Sequence, residues 1–280
     1  MRGALACLAC VAGCGFQSPA AAIDASNGSG VPDAPADGAR ADGAPADGAP
    51  DTGPVSRTRT GLIGLWEFNE TTGTTIGESS GATPKVPLTV NPGVVMFSAG
   101  TMTPVGVAVI ASGPARPHLN ADVISAKAVT LEAWVMAGVA DQPALSSPAV
   151  VAGLCSSVYS RNISILQAGK RWVARVRTTA DVNGGPDLTS STDITPGVMT
   201  HLVVVADQAQ RILYVNGKAD AVDPSPGPPL NWDTSYKMVL GNELAQGRQW
   251  AGTFALVAMY NQALTSALVT TNYRAGPDGT

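Results

Sequence analysis

The sequence predicts an all-β protein, an antiparallel two-sheet sandwich with one short C-terminal helix. Three observations predict it. Short apolar runs recur at close spacing between residues 61 and 260, with Gly, Pro, Asn and Asp between them and little helical periodicity. Residues 129–135 alternate cleanly, with Val129, Leu131, Ala133 and Val135 on one face and Thr130, Glu132 and Trp134 on the other. Two β-rich runs, 211–215 and 218–222, flank Asn216-Gly217, a turn pair in which both residues tolerate φ > 0.

In chain order, residues 1–14 read as a targeting segment. Arg2 precedes an apolar run over 3–12, well short of the roughly 20 residues that span a bilayer. Val11-Ala12-Gly13-Cys14 resembles a bacterial lipobox, which implies cleavage before Cys14 and its lipidation; an ordinary secretory signal cleaved elsewhere is the alternative. Residues 15–59 read as an Ala/Asp/Gly/Pro tether. Its core, 33–51, has no large apolar side chain to offset ordering entropy, so it is expected to stay disordered and extended. Between 15 and 54 there are six Asp and one Arg, a net of −5; with Arg2 at +1 and a chain total of −4, the remainder is neutral. A neutral domain argues against electrostatic nucleic-acid binding, which needs a basic surface.

Residues 60–276 form the folded domain, with 277–280 as a tail. Residues 61–69 read as the first strand, followed by a turn-rich stretch to Gly81. Strands are expected over 86–90, 94–97, 105–110, 129–135, 150–154, 162–166 and 172–178, and residues 188–191 pair back on the last of these. Residues 201–206, 211–215, 218–222, 238–243 and 253–260 complete the set. The helix is expected over 265–272, with Thr265 as N-cap and Leu264, Leu268 and Val269 toward the body. Leu268 stands at the third helical position, so no capping box forms. Once Cys7 and Cys10 leave with the signal and Cys14 carries lipid, Cys155 is the one thiol left. No internal disulfide is then possible, and Cys155 reads as a buried strand-end residue.

Several strings are shared with a known family. Gly61-Leu62-Ile63-Gly64-Leu65-Trp66-Glu67-Phe68 precedes Glu78-Ser79-Ser80-Gly81; Thr130-Leu131-Glu132-Ala133-Trp134-Val135 follows; then come Leu213-Tyr214-Val215-Asn216-Gly217, Leu240-Gly241-Asn242 and Tyr260-Asn261-Gln262-Ala263-Leu264. Residues 61–276 thereby resemble laminin-G-like (concanavalin A-like) jelly-roll domains, with Glu78 where Asp is usual. The resemblance is nearest to a subgroup with Arg161-Asn162, Arg175-Val176-Arg177-Thr178-Thr179, Asn231-Trp232-Asp233 and Asn242-Glu243 followed by Arg248-Gln249-Trp250. It implies a jelly-roll sandwich, and it is weak for function because the fold hosts lectins, adhesion modules and glucanases alike.

For glycan recognition, which uses ring stacking and planar polar groups, the candidates are Trp232, Asp233, Asn242, Glu243, Arg248 and Trp250. The competing reading is structural: Glu243 pairs with Arg248 across a tight loop, and both tryptophans pack on the sheet. Arg175 and Arg177 stand two apart, as an anionic-sugar contact or as a solvated face. Asp181, Asn183 and Asp187 place oxygen ligands at alternating positions, which makes calcium a possible cofactor; a Gly-rich hairpin turn is the other reading. No strand carries the Glu-x-Asp-x-x-Glu string of the β-glucanases, and no Gly-x-Ser-x-Gly is present, so the expectation is a protein that is not an enzyme. Two carboxylates facing one cleft would reopen that point. The reading is a non-catalytic binding module for carbohydrate or a surface polymer at the cell envelope, lipid-anchored at the outer membrane. A protein-interaction or structural envelope domain is the alternative; exposure of Trp232 or Trp250 favours the first, and burial of both with an exposed apolar edge favours the second.

Overall fold

The computed structural model describes residues 55–279 apart from 114–116, 144–145, 158 and 225. The predicted signal segment, the lipidation site Cys14 and the tether up to residue 54 lie outside the described residues. In chain order the elements are β1 (Leu62–Trp66), β2 (Thr75–Ile76), β3 (Leu88–Val90), β4 (Val95–Ser98), β5 (Thr101–Pro104), β6 (Ile110–Ser112), α1 (Pro117–Ala126), β7 (Val129–Ala137), β8 (Ala149–Cys155) and β9 (Arg161–Ala168). They continue with β10 (Arg171–Val176), β11 (Leu188–Thr189), β12 (Met199–Ala206), β13 (Arg211–Val215), β14 (Lys218–Asp223), β15 (Lys237–Leu240), β16 (Gly252–Tyr260) and α2 (Ser266–Ala275).

The strands form two eight-stranded antiparallel sheets. The first runs β14-β13-β12-β7-β16-β5-β4, with β1 also on β16; the second runs β11-β10-β9-β8-β15-β6-β3-β2. This is the expected jelly-roll sandwich. Between the sheets lies the main core, where Leu131, Ala133 and Val135 of β7 meet Ile163 and Ile165 of β9 and Trp172 and Ala174 of β10. Period-two alternation sends Trp134 to the opposite face of β7, where it joins Leu65, Val203, Tyr214 and Tyr260 under α2. Glu132 is fully buried there, so the second face of β7 is covered, as its sequence implied.

The Asn216-Gly217 turn has positive φ at both residues (50° and 76°), and the Asn216 side chain accepts the His201 amide at 3.0 Å. In α2, Thr265 is the N-cap and accepts from the Leu268 amide.

Three expectations change. Besides α2 there is a second helix, α1, buried through Leu119, Asn120 and Val123; two apolar residues one turn apart gave too little periodicity to announce it. Of the strand expected over 105–110, only Ile110 is in a strand; Val105 and Val107, more than half exposed, lie in the connection between β5 and β6. The folded region also begins before residue 60. Arg57 is 3% exposed, is ion-paired to Glu132 and donates to the Gly276 carbonyl at 2.7 Å, while the Thr58 amide donates to Asn272 at 2.9 Å.

Candidate functional site

The residues nominated from sequence mostly serve the fold. Trp250 is fully buried among Trp172 and Phe254, and its Nε1 donates to Gln167 at 2.8 Å. Trp232 is 5% exposed and donates to the Arg177 carbonyl at 2.8 Å. Neither indole offers a stacking face, which corrects the expectation that these two hold a sugar: both rings are used between the sheets. Asp233 accepts from the Ser235 amide and hydroxyl, which holds its carboxyl below the usual range. Asn242 closes the 242–250 loop by accepting the Glu243 and Arg248 amides, both at 2.9 Å. Glu243 stands 4.0 Å from Arg248.

Arg248 leads to a polar cleft. Its guanidinium lies 5.9 Å from the ring centroid of Tyr159, a side chain 70% exposed. Tyr159 stands at a cleft of about 410 Å³, lined also by Ser146, Arg161, Arg175, Asp181, Asn183, Gly185 and Asp187. The cleft belongs to the side of the second sheet turned away from the main core. On β10, Trp172, Ala174 and Val176 face the core, so Val173 and Arg175 face outward.

The cleft wall is held from below. Arg211 of β13, 1% exposed, donates Nη1 to the carbonyls of Val176 at 2.9 Å and Gly184 at 3.0 Å, and Nη2 to that of Gly185 at 2.6 Å; its Nε meets Asp223 at 3.0 Å. Gly184 has φ +78°, and a Cβ there would stand 3.1 Å from the Val176 nitrogen, so the loop's close approach to β10 needs glycine.

Two arginines differ in how they are satisfied. Arg175 grips Asp187 with Nε and Nη2 at 2.6 and 2.7 Å. Arg161 is 6% exposed and donates Nη2 to the Asn183 carbonyl, while its Nε and Nη1 have no hydrogen-bond partner among the described residues. Burial first, and the charge of Arg175 second, bring its guanidinium down to about 10, so it remains a cation at neutral pH. Tyr159 and Arg161 were missed as site residues. The available signal was an aromatic in the polar stretch after the apolar β8 and a cation opening β9.

The predicted calcium set does converge on this cleft, but its chemistry does not fit the ion. Both Asp187 oxygens hold Arg175, the Asn183 carbonyl holds Arg161, and Asp181 Oδ1 accepts the Asn183 amide at 2.7 Å. Guanidinium groups take the places a calcium ion would need. Among the described residues no group of three or more His, Cys, Asp or Glu side chains has metal-holding geometry. Elsewhere, Cys155 is 1% exposed, and burial, then Glu243, pushes its thiol up to about 12, where a nucleophilic thiolate is not formed.

Comparison with known proteins adds the family. Residues 115–270 match the concanavalin A-like lectin/glucanases superfamily. No curated protein matches the chain in sequence. Among solved structures, Trypanosoma rangeli sialidase in complex with sialic acid is similar at 16% identity and a TM-score of 0.55, over 77% of this chain and 33% of that one. A mutant of that sialidase displaying trans-sialidase activity gives 15%, 0.55, 79% and 34%. The binding domain of botulinum neurotoxin DC in complex with SialylT gives 11%, 0.57, 78% and 52%. The chain thus spans about a third of the length of the sialidases it matches.

These matches overturn the expectation that the protein is not an enzyme, because enzymes share its fold. Identities this low carry the fold and no activity, so the exclusion is withdrawn and nothing is put in its place. The physical reason is that the exclusion sought paired acids along one strand, whereas acids also converge on loops. Asp181 and Asp187 line the Tyr159 cleft, and Glu67, Glu70 and Glu78 line a smaller hollow. With the family match covering more than half of its length and the two-sheet sandwich in place, the chain belongs to the concanavalin A-like lectin/glucanases superfamily.

Proposed function

We propose that this domain binds carbohydrate in the Tyr159–Arg161 cleft, and that the protein displays it at the cell envelope, lipid-anchored through Cys14 at the outer membrane. The observation that carries the glycan reading is the exposed Tyr159 ring beside a polar cleft with planar guanidinium, carboxylate and amide groups. A ring face suits the C–H face of a sugar, and planar polar groups suit paired hydroxyls. The occurrence of the fold in a sialidase solved with sialic acid and a toxin domain solved with SialylT agrees with a sugar ligand and does not identify it.

The test is an array of neutral, carboxylated and sulfated glycans probed with the full chain, read both for binding and for released sugar. Saturable binding to one glycan class is expected, and Tyr159→Ala should weaken it about 5-fold, the loss of roughly 1 kcal/mol of ring contact.

A second reading has its own observation. Trp232 and Trp250 are buried, while Met96 on edge strand β4 is 61% exposed, and Val105 and Val107 after β5 are exposed too. An apolar sheet edge favours a protein partner. A blank array from well-folded protein would move the assignment there.

A further inference from the structure

We infer that this cleft selects a ligand bearing a carboxylate, seated on Arg161: an acidic sugar residue within a glycan. The inference rests on the carbohydrate reading and adds a chemical class to it. Its basis is the contrast between two buried guanidinium groups that border one loop. Arg211 spends its Nε, Nη1 and Nη2 on three carbonyls and Asp223. Arg161, at the first position of β9, lines the cleft, spends Nη2 on the Asn183 carbonyl and leaves Nε and Nη1 buried and unpartnered among the described residues. A buried cation with unmet donors is costly, and a carboxylate from outside is the partner that offsets the cost.

The nearby acids do not serve it. Asp187 is held at both oxygens by Arg175, and Asp181 caps the Asn183 amide at 2.7 Å. The two acids also define the ligand's charge. Arg161 and Arg175 against Asp181 and Asp187 leave the cleft without net charge. That balance suits one negative charge on an otherwise hydroxylated molecule. It works against a doubly charged phosphate, which would face Asp181. The planar guanidinium fork matches a planar carboxylate, and the Tyr159 ring gives the rest of the sugar an apolar surface.

The experiment titrates the full chain with an oligosaccharide ending in an acidic sugar, with its carboxyl-reduced neutral counterpart, and with a sulfated counterpart of the neutral sugar. Binding is followed by calorimetry. The acid should bind at least about 10-fold more tightly than the reduced form, the worth of a charge-assisted hydrogen bond. Arg161→Gln should abolish this preference while leaving residual affinity for the reduced sugar. Arg161→Lys should restore part of it, and Asp181→Asn should tighten the acid. Equal binding of acid and reduced forms overturns the inference and leaves the carbohydrate reading standing. Preference for the sulfated form overturns the choice of carboxylate. No binding of any of the three, together with a blank glycan array from folded protein, overturns both readings. The comparison of acid with reduced sugar uses the wild-type chain, so it decides the matter even if Arg161→Gln fails to fold.

Discussion

Glu132 is fully buried on the face of β7 covered by α2, yet it is charged. Burial by itself would push its carboxyl up. The hydrogen bond with His201 at 2.8 Å, the charge of Arg57 and the charge of His201 outweigh this and bring it from 4.5 down to about 2. Asn272 at 2.8 Å and Tyr260 at 3.2 Å donate to the other oxygen. Because the folded value lies below the ordinary one, the stabilisation is complete above about pH 4.5 and is withdrawn as the pH falls toward 2. The shift corresponds to something on the order of 3 kcal/mol. Denaturant unfolding at pH 6, 4.5 and 3 should show wild-type stability falling across the last interval. Glu132→Gln, weaker at pH 6, should give a flatter profile; parallel profiles would rule the network out as the acid-sensitive element. The alternation of β7 made the face of Glu132 legible in sequence. Its partners were not, since Arg57, His201, Tyr260 and Asn272 lie 69 to 140 positions away and only the fold brings them together.

The elements divide by how locally they are specified. The Asn216-Gly217 hairpin and the start of α2 depend on residues a few positions apart, and both stand where the sequence put them. Helix α1 and the cleft loop over 181–187 depend on distant partners: Asn120 on Asn162 and the Tyr236 carbonyl, and the loop on Arg211. The same difference separates the site residues. Trp232, Trp250 and Asn242 drew notice as aromatic and planar polar groups suited to sugar contacts, and in the fold they serve packing and loop closure. Tyr159 and Arg161 gain their role from a loop that Arg211, Arg175 and the close approach of Gly184 hold against β10. At this scale α2 gives the direct test. Thr265 accepts the Leu268 amide at 3.4 Å, and no Glu or Gln at the third helical position backs it up. Thr265→Ala should cost about 1 kcal/mol by denaturant midpoint, and Thr265→Asp should recover most of it. An unchanged midpoint would mean that packing of Val269 and Leu264, not the cap, holds the helix end.

For the whole molecule, the sandwich was readable because many short apolar runs broken by turn residues, with alternation on β7, fit two antiparallel sheets. Its beginning was not. Val55 to Arg59 share the composition of a linker end, yet Arg57 reaches a carboxylate 75 residues on and a carbonyl 219 residues on, while Thr58 binds Asn272. The segment proposed as a tether therefore ends inside the fold, at the buried carboxylate that links β7 to α2. A surface attachment would let the linker peel away without cost to the domain; this one makes pulling on the linker pull on Glu132. Removing the cation leaves a buried carboxylate short of its charged partner, a loss of about 3–5 kcal/mol. Against a typical domain stability of roughly 5–15 kcal/mol, that is a large fraction. A chain beginning at Val55 should therefore match the full chain in denaturant midpoint, and one beginning at Thr60 should fall well below it. Arg57→Ala in the full chain should reproduce most of the loss. If the Thr60 chain unfolds at the same midpoint as the Val55 chain, Arg57 only decorates the surface of the network, and the domain begins at β1.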